Sequence, residues 1–294
     1  MPGRLVRFKQ VDVFTSVPFK GNPLAVVFDA DSLGDDAMLE IARWTNLSET
    51  TFLCTPTDPE ADYRVRIFTT GGELPFAGHP TLGTAHAFLE SGARPRTPGR
   101  LIQQCGVGRV ALREQADGWA FAAPSARVTP LDRSDYAVLA AALCSDALDL
   151  DAEPCAVDNG APWLVVRLKS ADACIGLSPD PAALAALTHR YGVDGLAAYA
   201  PHAEGGPATF EIRCLMTGGK FGIPGEDPVT GSANAALAGL LTRQERRPGP
   251  SYTARQGTAI GRDGRILVNY DADGTTWIGG DVVTVVDGTF RSPD

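Results

Sequence analysis

The chain alternates apolar and polar residues with the two-residue period of strands over much of its length. Such runs cover Leu5–Phe14, Leu24–Phe28, Tyr63–Phe68, Leu101–Leu112, Trp163–Leu168, Thr209–Leu215, Arg265–Tyr270 and Val282–Val286. Helical periodicity is scarcer, over Asp35–Thr45, Pro80–Glu90, Ser134–Leu143, Pro181–Arg190 and Pro228–Arg243. The pattern predicts a sheet-rich α+β protein. The segments from Pro80 and from Pro228 are small or apolar on nearly every face, so neither helix has a side for solvent and each should be enclosed by strands. About 15 residues from Pro228 would give a helix of roughly 22 Å, a length that curled strands can wrap.

These two helices belong to a repeat. R-I-F-T-T-G-G-E-L-P-F-A-G-H-P-T-L-G-T-A-H-A from Arg66 recurs as R-C-L-M-T-G-G-K-F-G-I-P-G-E-D-P-V-T-G-S-A-N-A from Arg213. Arg66, Gly71, Gly72, Pro80 and Gly83 fall on Arg213, Gly218, Gly219, Pro228 and Gly231; Thr84 meets Ser232, and His79 meets Asp227. The offset is near half the chain, too long for a solenoid period of about 20 to 50 residues. It predicts duplication of a whole lobe, with a pseudo-twofold axis and a cleft between the copies. G-N-P-L-A-V-V around Asn22 also resembles N-G-A-P-W-L-V-V from Asn159, which extends the duplication. A break at Ala123–Pro130 places the boundary between lobes 1–126 and 127–294, with the final strand free to cross back to the first lobe.

The 294 residues are 44% hydrophobic, enough for a core in each lobe, and the formal net charge of -9 leaves no basic stripe for a nucleic acid. No apolar run approaches a membrane span, and the first residues lack the apolar centre of a signal peptide, so a cytoplasmic protein without membrane contact is expected. Six cysteines without C-x-x-C spacing read as reduced thiols, and four histidines give little support for a zinc site. No G-x-G-x-x-G opens a helix after a strand, which disfavours dinucleotide-dependent chemistry.

His79-Pro80 and Asp227-Pro228 read as helix starts, a capping residue before a proline at the first helical position. On the local pattern alone Asp227 is a cap. Taken together, two helix N-termini with unpaired N–H groups can receive a small carboxylate, with Gly78, Gly83 and Gly231 allowing close backbone approach. Tight helix-to-sheet packing explains the glycines equally well.

V-D-V-F-T-S-V-P-F-K-G-N-P-L-A-V-V (Val11–Val27), N-L-S-E-T-T-F-L (Asn46–Leu53), F-A-G-H-P-T-L-G-T-A-H-A (Phe76–Ala87) and G-E-D-P-V-T-G-S-A-N-A (Gly225–Ala235) closely resemble the PhzF-like family. That family is named after the phenazine-biosynthesis isomerase and shares the two-lobed fold of diaminopimelate epimerase. The resemblance implies two lobes, each a curled, barrel-like sheet around a central helix, and a homodimer. It implies Glu49 as general acid/base, with His79 and Asp227 as further catalytic residues. Gly78, Gly231 and Ser232 would hold a substrate carboxylate, and Ser48 and Asn22 would complete the pocket wall. Related epimerases use a cysteine from each lobe where this chain has Gly78 and Asp227, so a two-thiol mechanism is excluded by residue type. Cys105-Gly-Val-Gly looks like such a cysteine motif but lies in a strand pattern, and reads as a decoy.

The activity so implied is a cofactor-independent isomerisation of a small unsaturated amino or hydroxy carboxylic acid, in secondary or antibiotic metabolism. Glu49 would remove an acidified C–H proton and return it to a conjugated carbon. Two other readings stand beside it. One is an amino-acid racemase with His79 and Asp227 as opposed non-thiol bases; the other is a non-catalytic small-acid binding protein.

Overall fold

A computed structural model describes residues 4–116, 118–218 and 225–293. In chain order its elements are β1 (Leu5–Val13), β2 (Asn22–Val27), α1 (Asp35–Thr45), β3 (Thr50–Cys54), β4 (Tyr63–Phe68), β5 (Glu73–Leu74), α2 (Gly78–Glu90), β6 (Arg100–Cys105), β7 (Gly108–Gln115) and β8 (Gly118–Ala122). There follow β9 (Arg127–Pro130), α3 (Tyr136–Leu143), β10 (Cys155–Asp158), β11 (Pro162–Arg167), α4 (Ala171–Ile175), α5 (Pro181–Arg190), β12 (Gly195–Pro201) and β13 (Phe210–Met216). The chain closes with β14 (Gly225–Asp227), α6 (Gly231–Arg243), β15 (Ser251–Gln256), β16 (Gly264–Tyr270), β17 (Thr276–Gly280) and β18 (Val282–Arg291). It divides into two units, Met1–Ala122 with Gly279–Asp294, and Ala123–Ile278.

In the first unit the strands pair in the order β18–β1–β2–β3–β4–β6–β7–β8, with β5 on the same edge of β4 as β6. In the second the order is β9–β10–β11–β12–β13–β15–β16, with β14 beside β13. The β2–β3 and β4–β6 pairs are parallel, as are β11–β12 and β13–β15, and the other pairs are antiparallel. Each strand from β1 to β7 therefore has a counterpart from β10 to β16, and α1 and α2 have counterparts in α5 and α6. In the first unit β18 borders β1 as β9 borders β10 in the second.

The register makes the duplication close enough to match single residues. Thr50 faces Phe68 and Leu196 faces Leu215, and both partners lie two residues beyond the repeated arginine. Glu49 therefore corresponds to Gly195, and Leu24 to Trp163.

Within the first unit α2 contacts β1, β2 and β3 and also β8 and β18 from the two ends of the strand order, so the sheet wraps it. Within the second, α6 contacts β9, β10, β11 and β16 in the same way. Both helices bury nine of their thirteen residues, as sequences small or apolar on nearly every face require. A Cβ on Gly83 would stand 2.5 Å from Leu24 Cδ2, which assigns this glycine to helix-to-sheet packing. α1 covers β3 and β4 with Met38, Ile41 and Ala42, joining Val27, Phe52 and Phe68 in a second core layer.

Three sequence expectations need correction. The run Leu101–Leu112 is a hairpin, not one strand: β6 and β7 pair from Arg100↔Arg113 to Cys105↔Gly108 across Gly106 and Val107. A Cβ on Gly106 would lie 2.7 Å from Pro75 Cα, so this turn accepts glycine alone. Neither central helix starts at its proline. α2 begins at Gly78, with Ala77 as N-cap and His79-Pro80 inside the first turn, whereas α6 begins at Gly231 with Thr230 as N-cap. Asp227 consequently ends β14 and is not a helix cap, and α6 is 13 residues long. Gly219, the counterpart of Gly72, lies outside the described residues.

Candidate active site

In the first unit, α1 ends on Asn46 in the left-handed region (φ 53°), which turns the chain toward β3. Thr45 Oγ1 and Thr50 Oγ1, 2.7 Å apart, tie the two ends of this turn together. Glu49 sits between them. Its Oε2 approaches His79 Nε2 to 3.4 Å, and both side chains are largely buried, 15% and 7% exposed respectively. Burial alone pushes the His79 imidazole down to about 3, so the ring beside Glu49 is neutral through the physiological range.

That neutrality matters for the carboxylate. A cation at this distance would stabilise ionised Glu49 by roughly 5 kcal/mol at an effective dielectric near 20, and would make it a correspondingly weaker base. A neutral imidazole can exchange a hydrogen bond with carboxylate or carboxylic acid without that penalty. Gly78, at the first position of α2, is buried beside His79. Asn22 is fully buried at the start of β2, opposite Val13, and Ser48 is exposed next to Glu49 in the chain. Direct side-chain contact thus joins Glu49 to His79.

In the second unit, Asp227 lies opposite Cys214 on β13. Its Oδ2 accepts a hydrogen bond from Thr230 Oγ1 at 2.5 Å, and its carbonyl accepts one from Gln256 Nε2 at 3.0 Å. The fully buried Gln256 also donates to Thr230 Oγ1 (2.8 Å) and accepts from the Thr230 N–H (3.0 Å) and Asn234 Nδ2 (3.1 Å). One amide thereby fixes the turn between Asp227 and α6.

Beneath it, Arg213 clasps Glu226 through Nε and Nη2, the latter 2.7 Å from Oε2, while Nη1 donates to the carbonyls of Ile175 and Leu177. With both side chains under a tenth exposed, this bidentate pair anchors the strand that carries Asp227. Arg66 clasps Glu73 on β5 in the same manner, which explains why an arginine opens both repeats.

Gly231 and Ser232 begin α6. Ser232 Oγ accepts from Trp163 Nε1 (3.1 Å) and its carbonyl accepts from Asn159 Nδ2 (2.9 Å). Because the indole occupies a lone pair of Oγ, the hydroxyl proton remains available to a ligand oxygen. Thr230, Gln256 and the two arginine clasps were not expected from the sequence. Gln256 carries no local signal in Y-T-A-R-Q-G, although the repeated arginine was itself a pointer. Cys105 ends β6, and burial raises its thiol above the usual range, away from the thiolate form a proton shuttle would need.

The duplicated, sheet-wrapped helices define a diaminopimelate epimerase-like fold. The family model for phenazine biosynthesis-like proteins (PhzC-PhzF) matches residues 11–288, and the chain belongs to that family. It is 36% identical over 272 residues to trans-2,3-dihydro-3-hydroxyanthranilate isomerase from Pseudomonas aeruginosa, covering 91% of each chain. It is 34% identical to antisense-enhancing sequence 1 of Schizosaccharomyces pombe, over 96% of this chain and 97% of that protein. Its fold matches the crystal structure of a PhzF-family phenazine biosynthesis protein from Bacillus anthracis with a TM-score of 0.84 at 23% identity, over 98% and 99% of the two chains. The protein is an isomerase of the PhzF type. No helix among the described residues is long and apolar enough to cross a membrane.

Proposed function

We propose that the protein shifts a proton and the attached double bonds within a small unsaturated amino or hydroxy carboxylic acid, without a cofactor, and that Glu49 is the acid/base. The contact between Glu49 and neutral His79 carries this reading. Ionised Glu49 breaks a C–H bond activated by the adjoining unsaturation and holds the proton as its carboxylic acid. The electron pair moves through the conjugated system, and Glu49 returns the proton to the far carbon, regenerating the carboxylate. In the second unit, Ser232 and the N–H groups at the start of α6 are proposed to receive a carboxylate, and Asp227 an amino or hydroxyl group.

The single-base scheme is favoured over racemisation by two features. His79, with its basicity suppressed by burial, is a poor base for an α-carbon proton. The position corresponding to Glu49 in the second unit is Gly195, which offers no carboxylate. Conversion of trans-2,3-dihydro-3-hydroxyanthranilate in deuterated water, followed by proton NMR, tests the scheme. Wild type should turn over and incorporate deuterium, and Glu49→Gln should bind but not turn over. Turnover by Glu49→Gln near the wild-type rate removes Glu49 from the mechanism. The relationship to the Pseudomonas isomerase supports a role in secondary metabolism, and a homodimer is the proposed assembly. Light scattering showing a 30.9 kDa particle would overturn the latter.

A further inference from the structure

A cavity of about 610 Å³ opens in the second unit, between the loop that joins β12 to β13 and the C-terminal end of α6. Ser232 and Leu241 are nine residues apart on α6, so the cavity lies roughly 14 Å along the helix from the start of α6. Its volume falls within the range of small-molecule sites, about 300 to 1,000 Å³.

Its floor carries three polar groups with no role in the chemistry described above. Arg167 and Tyr199 are register partners on the parallel strands β11 and β12, so their side chains stand side by side. Arg246 reaches in from the segment after α6, its Nη2 donating to the Asp151 carbonyl at 2.5 Å. Tyr199 is 2% exposed, and its hydroxyl has no hydrogen-bond partner among the described residues. Such a buried hydroxyl forgoes a bond that is ordinarily made. Burial pushes this phenol up to about 12, so its hydroxyl remains a donor. Arg167 contacts Asp149 through Nε, at 3.2 Å, which leaves its two η nitrogens for a ligand. Glu204 is a carboxylate of the lining, exposed on the loop, and the lining His202 contacts the buried Glu211 carboxylate at 3.0 Å. Pro201, Pro207, Phe210, Leu241 and Pro248 supply an apolar wall.

We propose that this cavity is a second ligand site, which takes a small organic acid with its carboxylate on Arg167, Arg246 and the Tyr199 hydroxyl and its apolar body against the proline-rich wall. Two guanidiniums match a carboxylate, and the Tyr199 hydroxyl gains the acceptor it lacks. Inorganic phosphate satisfies the head group alone and leaves the wall empty.

The test is calorimetric titration of the full-length protein with benzoate, benzamide and inorganic phosphate, together with a crystal soaked in 4-bromobenzoate. Benzoate should bind, neutral benzamide should bind roughly tenfold more weakly, and Arg167→Gln and Arg246→Gln should each lose roughly tenfold in benzoate affinity. Tyr199→Phe removes one oxygen atom and should weaken benzoate severalfold while isomerase turnover stays at the wild-type level; this variant remains decisive if Arg167→Gln does not fold. The bromine anomalous peak should lie beside Tyr199. The inference is overturned by bromine bound solely at the start of α6, by benzoate affinity unchanged in Arg246→Gln and Tyr199→Phe, by absence of benzoate binding, or by phosphate binding as tightly as benzoate.

Discussion

Replacing His79 with glutamine should remove a defined part of the protein's acid sensitivity. His79 is 6% exposed, and burial holds its imidazole near 3 against an ordinary value of 6.5. Its folded-state affinity for protons is depressed, so the unfolded chain takes up a proton at this residue that the folded chain refuses. Stability at this site is therefore complete above about pH 6.5 and is lost progressively between pH 6.5 and about 3. At pH 5 the unfolded imidazole is almost wholly protonated and the folded one almost wholly neutral, which costs RT ln(1 + 10^1.5), about 2 kcal/mol. Urea unfolding of wild type and His79→Gln at about pH 7.5 and about pH 5 measures it. Wild type should lose about 2 kcal/mol more than the variant on acidification. The comparison cancels other titrating groups, including His86, which burial also depresses. An acid-induced loss of equal size in both proteins would mean that His79 is protonated in the folded state, and the neutral-imidazole argument would fail with it.

Four further outcomes follow from the packing and the hydrogen bonds. Gln256→Leu removes the amide that holds Asp227 and Thr230, and should lower turnover while costing about 1 to 3 kcal/mol in denaturant unfolding; unchanged turnover would detach this network from function. Arg213→Met leaves Glu226 buried without its partner and should cost about 3 to 5 kcal/mol by the same measurement, with Arg213→Lys only partly restoring it because the bidentate grip is lost. Gly83→Ala should destabilise by about 1 to 3 kcal/mol despite alanine's better helix propensity, since the new methyl meets Leu24, Val13 and Val11 at 2.5 to 3.0 Å. Cys105→Ser should keep turnover close to wild type, and a loss beyond roughly tenfold would bring that thiol back into the chemistry.

Both amphipathic and fully enclosed helices were legible in the sequence, while some boundaries and some short buried strands were not. α1 and α5 keep an exposed side and were bounded to the residue, Asp35–Thr45 and Pro181–Arg190. β3 and β12 are buried along nearly their whole lengths, T-T-F-L-C and G-L-A-A-Y-A-P, so neither shows a two-residue alternation; β3 was read only as the strand that Glu49 opens, and the bounds of β12 were not read. The hairpin in Leu101–Leu112 shows only as a change of phase, with Leu101 and Gln103 buried on β6 and Val110 and Leu112 on β7, and the two-residue turn between them was passed over. At the candidate site, the contact between Glu49 and His79 depends on residues thirty positions apart and had no local signature. Family resemblance alone pointed to it.

The duplication gives the lack of a carboxylate at residue 195 a structural cause as well as a sequence one. A pseudo-symmetric protein could reach a two-base mechanism by placing a carboxylate at both copies of one position, and Gly195 is the copy of Glu49. That position has no room for a side chain: a Cβ on Gly195 would fall 2.5 Å from the Leu215 carbonyl oxygen and 2.9 Å from Trp163 Cζ3. Trp163 in turn stands where the first unit has Leu24, and its indole donates to Ser232. The larger side chain that supports Ser232 thus excludes the residue that would duplicate Glu49. Restoring a carboxylate at residue 195 would require β12 and β13 to separate and the Trp163–Ser232 bond to break, so the second unit cannot carry a copy of Glu49 while Trp163 holds Ser232.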